Sequence, residues 1–156
     1  MIERNALAAC LSAAGRDEVL ALAQRVTEGL TVSPLQPPES GLALMQWRDA
    51  VMHQLFFLGE VPMARAAVVV VDAAGQRAEG GAVVMADDVE LAQALAALDA
   101  VHTHRFPGAD TVDALAEAGG RAHARGRAER QAMLKRTRVD FALLSQADDE
   151  DEDDDR

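Results

Sequence analysis

The chain has 156 residues, 49% of them hydrophobic, so its length and composition predict one domain with a sizeable core. The formal net charge of −11 argues against nucleic-acid binding by its acidic end, because phosphates repel an acidic surface. The single cysteine, Cys10, excludes an intrachain disulfide, and no segment approaches the ~20 apolar residues of a membrane-spanning helix. These features predict a cytoplasmic protein without a membrane partner.

The first elements in chain order are two short helices. Apolar residues from Ile2 to Leu11 recur near helical spacing, and Gly15 offers a stop. Asp17 is a candidate N-cap for the second helix. The three prolines of the following segment, residues 33–40, predict a break in regular structure, because proline fixes φ and has no amide donor.

Four strands are predicted next, joined by short connections. They cover residues 41–48, 53–59, 66–71 and 81–86. Connections this short join only antiparallel neighbours, because a parallel crossover needs a dozen or more residues. The third strand is apolar at every position, from Ala66 to Val71, as expected of a strand that is covered on both faces. The sequence therefore predicts an α+β domain with a four-stranded antiparallel meander.

Two further helices follow the predicted strands. In the first, apolar residues recur at helical spacing after a candidate N-cap, Asp87 or Asp88. The second is long, starts at Asp110 or Thr111 and runs towards Arg136. It carries three glycines and few apolar residues, and a helix that is polar on all sides needs support from outside itself. This helix is the first indication of a partner.

The last twenty residues hold a short apolar segment and an acidic tail. Residues 139–143 are predicted to be extended, and they either return to the edge of the meander or add to a neighbouring chain. Residues 148–156 include eight acidic groups, which leaves 18 acidic and 14 basic groups, a net charge of −4, in the rest of the chain. We therefore expect one α+β domain over residues 1–147 and a disordered acidic tail over residues 148–156 that keeps the protein in solution.

The side chains that could carry chemistry do not form a recognisable active site in the sequence. His102 and His104 form an H-x-H pair, but they lie at a predicted helix end without an obvious third ligand. Capping or surface roles are therefore preferred over a metal-dependent hydrolase. Cys10 is expected as a small buried thiol on the first helix. No catalytic residue, metal ligand or bound cofactor is assigned to this chain.

Two arginines stand at predicted strand ends, where a guanidinium can bind a phosphate or a carboxylate bidentately. Arg65 opens the most apolar strand and is a possible anion or carboxylate clamp, with a solvated strand end as the alternative. Arg138 opens the terminal segment. The candidate partner contacts are Arg138, Val139, Asp140 and Phe141.

Several short motifs together resemble one protein family. In chain order they are GLALMQWR (41–48), LFFLGE (55–60), ARAAVVVV (64–71), LAQALAALDA (91–100) and TRVDFALL (137–144). Their order and spacing are similar to those of the G subunit of the bacterial carbon–phosphorus lyase core complex, the PhnG family of phosphonate utilisation. The likeness runs from the first helix to Leu144 and is most specific at T-R-V-D-F.

The resemblance implies a subunit that is inactive alone. The family's complex transfers ribose 5-triphosphate from ATP to an alkylphosphonate with release of adenine, and its nucleosidase-like I subunit carries the displacement. The implied partners are the H, I and J subunits, with ATP and the alkylphosphonate bound at the level of the complex and no cofactor on this chain. The alternative is a free-standing binding or adaptor domain that docks basic partners through its acidic tail.

Overall fold

The part of the chain that the computed structural model describes, residues 2–136, contains four helices and three strands. In chain order they are α1 (Arg4–Ala14), α2 (Arg16–Val26), β1 (Thr31–Arg48), β2 (Leu55–Val71), β3 (Arg77–Val84), α3 (Val89–Thr103) and α4 (Ala109–Arg136). The chain divides into two compact units after His123. The first unit holds all elements up to the first half of α4, and the second unit holds the rest of α4.

The three strands form one antiparallel sheet in the order β1-β2-β3, which confirms the α+β class. The predicted number of four strands is wrong for the described residues. The predicted strands at 53–59 and 66–71 belong to one continuous strand, β2. Residues 60–65, which the prediction treats as a connection, stay extended because they pair with residues 39–44 of β1.

The proline-rich segment, residues 33–40, is part of β1, so the predicted break in regular structure is wrong. Proline cannot donate to a β-ladder, but edge strands and bulges tolerate it. β1 is an edge strand, and its register with β2 shifts between Pro34 and Gln36 and again between Gln36 and Glu39. These irregularities accommodate the prolines without ending the strand.

Helix α3 covers one face of the sheet and forms the centre of the core. It begins at the predicted N-cap Asp88, whose carboxylate accepts a hydrogen bond of 2.9 Å from the Leu91 amide. The helix lies so close to β3 that a Cβ added at Gly80 would stand 2.1 Å from the carbonyl oxygen of Ala96. Small residues therefore set the helix–sheet distance in a chain that has few aromatic residues.

The first half of α4 packs on α1 through another glycine. A Cβ added at Gly119 would lie 1.9 Å from the carbonyl oxygen of Cys10, so the two helices meet at their backbones. Val112 and Ala116 are fully buried on the same helix. Glycine at this position destabilises the helix by up to ~1 kcal/mol relative to alanine. A larger residue would prevent the close contact with α1, which explains why a glycine stands here.

The second unit begins with α4 residues that bury almost nothing. From Ala124 to Arg136 every residue is exposed except Gly126, which is half-buried. This confirms the prediction of a long helix with little to bury. The predicted extended segment at 139–143 and the acidic tail at 148–156 lie outside the described residues, so the single domain over 1–147 stays a prediction. No helix within the described range is both long and apolar enough to cross a bilayer.

Candidate interaction surface

The outer ends of β1 and β2 form a two-stranded ribbon, residues 41–62. β3 pairs only with Ala64–Val71 of β2, so among the described residues the two ribbon strands pair with each other alone. Every residue from 50 to 60 is exposed. The exposed large hydrophobic side chains of the ribbon are Leu42, Leu44, Trp47, Val51, Met52, Leu55, Phe56, Phe57 and Leu58.

Both faces of the ribbon are apolar. Directly paired residues of antiparallel strands share a face, and successive residues alternate between faces. Trp47 pairs with Phe56 and therefore stands beside it on one face. Gln46 pairs with Phe57, which places that second phenylalanine on the opposite face. A ribbon in contact with water on one side needs only one apolar face, so the second face requires another explanation.

The three exposed aromatic side chains of the ribbon alone approach the size of the largest apolar patch on a typical monomer. Trp47, Phe56 and Phe57 are 57%, 44% and 63% exposed. An aromatic side chain can bury 150–250 Å², so these three alone expose roughly 250–400 Å². The largest apolar patch on a typical monomer is about 300–600 Å² and is often functional. With the six exposed aliphatic side chains added, the ribbon has the composition of a protein–protein contact.

Two local hydrogen bonds hold the turn at the tip of the ribbon. The Asp49 amide donates to the carbonyl oxygen of Gln54 at 2.9 Å, and the Asp49 carboxylate accepts from the Met52 amide. His53 adopts a left-handed conformation with φ of 53° that closes the turn. The tip is therefore held by local hydrogen bonds before any partner binds, which lowers the entropic cost of association.

The two edges of the sheet differ in their protection. The outer edge of β1 carries Pro34, Pro37 and Pro38 together with two register irregularities. Proline and bulges are devices that prevent an edge from pairing with another chain. The edge of β2 on the β3 side is unpaired from Leu55 to Met63 within the described part of the chain, and Pro62 is its one proline.

Arg65 lies on the sheet face opposite α3. Its Nε and Nη2 donate to Oε2 of Glu39 at 2.9 and 2.6 Å, across the β1–β2 ladder. Both side chains are more than half exposed, so this ion pair contributes little to stability. Arg65 borders two shallow cavities of about 330 and 280 Å³. A role for Arg65 as a clamp for an external anion stays a prediction.

A buried carboxylate joins α1, β3 and α3. Asp99 is 6% exposed and accepts hydrogen bonds from Nε and Nη2 of Arg4 at 2.9 and 2.7 Å. It also accepts one from the Gly81 amide at 3.0 Å. The geometry is bidentate: Oδ1 accepts from Arg4, and Oδ2 accepts from Arg4 and from the Gly81 amide. Asp99, which belongs to one of the family-like motifs, therefore has a structural role in positioning the sheet.

The H-x-H pair is split between two environments. His102 is buried, and its Nδ1 lies 2.7 Å from Oδ1 of Asp113. Oδ2 of the same carboxylate accepts a hydrogen bond from Nη1 of Arg105 at 2.8 Å. Burial raises the pKa of the Asp113 carboxyl, but the hydrogen bonds from Arg105 and His102 together lower it by more. The pKa therefore lies below its ordinary value. His104 is exposed at the end of α3. Within residues 2–136 no three His, Cys, Asp or Glu side chains could hold a metal ion.

The structure brings together a site that sequence reasoning missed. The partner candidates Arg138, Val139, Asp140 and Phe141 lie outside the described residues, and Cys10 is a half-buried thiol under Gly120. The ribbon is absent from the predicted sites because the sequence pattern places both of its strands within a four-stranded sheet. Its signal was the run of apolar residues at successive positions in LFFL (55–58), which places apolar side chains on both faces.

Comparison with known proteins gives one family. The family model described as "Phosphonate metabolism protein PhnG" matches residues 2–146, nearly the whole chain. This range includes the ribbon, Arg65 and the segment TRVDF at 137–141. No curated protein sequence matches the chain at a significant level.

Proposed function

We propose, since this chain belongs to the PhnG family of phosphonate metabolism proteins, that it is a non-autonomous subunit of a carbon–phosphorus lyase core complex. A role in phosphonate metabolism follows from the family itself, and the assembly and the reaction are the proposal. The proposed partners are the H, I and J subunits of that complex. We place the assembly in the cytoplasm, where ATP is available and a lone cysteine such as Cys10 stays reduced.

The proposed reaction transfers ribose 5-triphosphate from ATP to an alkylphosphonate, as in an alkylphosphonate ribose 1-phosphonate 5-triphosphate synthase. A phosphonate oxygen bonds to C1 of the ribose, and the bond from C1 to adenine breaks, so that adenine leaves. The I subunit carries this displacement. The present chain makes the phosphonate the acceptor, because it shapes the pocket of the I subunit and keeps water from the position of the attacking phosphonate oxygen.

The observation that carries this proposal is the apolar ribbon, residues 41–62. The two faces and the turn of the ribbon expose nine large hydrophobic side chains, although the core of the first unit is well packed without them. An apolar surface of this kind is unfavourable on a monomer in water, whereas an obligate subunit buries it against its neighbours. Ribbon residues also belong to two of the motifs that resemble the family, GLALMQWR and LFFLGE.

The test compares two serine substitutions of equally exposed side chains. Phe57 lies on the ribbon and is 63% exposed, whereas Met85 follows β3, outside the ribbon, and is 66% exposed. Phe57→Ser should weaken binding to a complex of the H, I and J subunits by about 2 kcal/mol, roughly 30-fold, because its buried aromatic area is lost. Met85→Ser should bind like the unchanged protein. Titration calorimetry with the purified subunits measures both affinities.

Two results would contradict the proposal. A folded chain that never co-purifies with co-expressed H, I and J subunits would remove the assembly. If the H, I and J subunits make the ribosylated phosphonate product equally well with and without this chain, its role in the reaction is refuted. Both variants expose the substituted side chain to water, so circular dichroism should show the same folded content and thermal midpoint for each.

A further inference from the structure

We propose that the unpaired edge of β2, residues 55–63, receives a β-strand from a non-identical partner subunit, in line with β3. This inference rests on the proposed function, because it names how the partner binds the ribbon. The added strand would make the two-stranded ribbon three-stranded. It would lie beside residues 55–63 of β2, the part of β2 that β3 does not pair with.

The position of β3 leaves the edge open. β3 pairs with β2 from Ala64 to Val71 and ends at Val84, after which the chain turns away to the N-cap of α3. Along a strand, the amide and carbonyl groups of alternate residues point to opposite sides. From residue 55 to 63 one set of these groups bonds to β1. The other set has no partner strand within residues 2–136 and can accept one.

The contrast between the two sheet edges supports this choice of edge. Prolines and register shifts protect the outer side of β1 along residues 34–39. The edge of β2 has one proline, Pro62, at the inner end of the ribbon, and Glu60 is its one charged residue between 55 and 63. The β1–β2 register also shifts once within the ribbon, between Met45 and Gln46, opposite Leu58. An exposed apolar edge with only one proline, one charge and one register shift is unfavourable in a monomer, since it promotes association. The ribbon would retain such an edge because an assembly covers it.

The side chains of the ribbon define the chemistry of the incoming strand. A third strand beside β2 would be the cross-strand neighbour of Phe56 on one face and of Phe57 on the other. Aromatic and β-branched residues stabilise such neighbours most. The partner segment is therefore extended, apolar at successive positions and about five to seven residues long, because that is the usual length of a strand. A lone two-stranded ribbon is marginally stable in water, and a third strand corrects this.

Charge favours a different chain over a second copy of this one. Each copy has a formal net charge of −11. Two copies repel each other at long range, whereas a neutral or positively charged partner does not repel this chain. The apolar ribbon has few charges of its own to overcome that repulsion. We therefore assign the strand to a subunit of the complex that is not identical to this chain.

The experiment is amide hydrogen exchange at single-residue resolution, on the isolated chain and on its complex with the H, I and J subunits. The amides between Leu55 and Val61 that point away from β1 alternate along the strand except at the register shift opposite Leu58. In the complex, these alternate amides should exchange at least ~100-fold more slowly than in the isolated chain, because each gains a β-ladder hydrogen bond. Amides of residues 67–70 provide the control, since these residues pair with β1 and with β3 in either state. Their exchange rates should not change.

Each other outcome overturns the inference and identifies the reason. An intact complex whose alternate amides stay fast removes edge pairing and leaves the proposed function standing. Slow alternate amides in an isolated monomer would assign the edge to this chain's own residues. Slow exchange that requires only a dimer of this chain, detected by light scattering, would assign the edge to a second copy. Failure to form any complex overturns the inference together with the proposed function.

Discussion

The close contact between α3 and the sheet predicts opposite effects for two adjacent glycines. Gly80 faces α3, and a Cβ added there would lie 2.1 Å from the carbonyl oxygen of Ala96 and 2.6 Å from the backbone nitrogen of Ala100. Gly81 faces away from the helix, and its added Cβ would meet only the Ala66 carbonyl oxygen, at 3.8 Å. Gly80→Ala should therefore destabilise the protein, and Gly81→Ala should not.

The size of the effect follows from the distance that α3 must move. Ordinary contacts of a Cβ begin near 3.4 Å, so Gly80→Ala forces backbone atoms apart by more than 1 Å. A gap of that size forfeits up to about half of the dispersion energy along the interface. Overpacking a core costs 1–3 kcal/mol and occasionally more, so we expect a loss of about 2–4 kcal/mol. Gly81→Ala should be neutral or stabilise the strand by up to ~1 kcal/mol.

Urea unfolding followed by far-ultraviolet circular dichroism measures both variants. Trp47 is a poor reporter of this change, because it lies on the exposed ribbon. With a slope near 2 kcal/mol per molar urea, Gly80→Ala should lower the unfolding midpoint by about 1–2 M. Equal midpoints for the two alanine variants would refute the close packing of α3 on β3, because the two substitutions differ only in the face on which the methyl group lies.

The remaining predictions concern the N-cap of α3, the stability of the protein at acidic pH and the acidic tail. Asp88→Ala should lower the free energy of unfolding by about 1 kcal/mol, since it removes the N-cap of α3, whereas Asp87→Ala should leave thermal melting unchanged. The pKa of Asp113 is lowered in the folded state, so its contribution to the free energy of unfolding is present at neutral pH and is lost as the pH falls below ~3.9. The urea midpoint of Asp113→Asn should therefore fall less steeply on acidification than that of the unchanged protein. Deletion of residues 148–156 should leave co-purification with the H, I and J subunits intact, and loss of assembly would instead favour an adaptor that docks through its acidic tail.

The helices could be predicted because their signals are local. Gly15 ends α1, Asp88 caps α3, and α4 begins at Ala109, next to the predicted Asp110. The cap of α2 is the exception, since Gly15 serves as its N-cap and Asp17 lies in the first turn. An aspartate there still interacts favourably with the positive end of the helix dipole, so the same residue type fits both positions.

The strands could not be predicted as well, because their limits depend on long-range pairing. The prolines between residues 33 and 40 predict a break only if both sides of the strand need hydrogen bonds. β1 is an edge strand, and this property depends on the order of strands in the sheet. Pro62 and Gly59 likewise suggest a boundary within β2, but pairing with β1 keeps that region extended. Prolines show which edge is protected only once the strand order is known.

The apolar run from Ala66 to Val71 shows how a sequence can describe an assembly better than a monomer. Its pattern predicts cover on both faces of β2. In the described structure one face is buried under α3, through Ala66, Val68 and Val70, while Val69 and Val71 on the other face are half-buried. The ribbon shows the same excess, because it too is apolar on both faces. Two neighbouring parts of one sheet thus carry more apolar surface than residues 2–136 cover, and both surpluses are accounted for if a partner packs on this sheet.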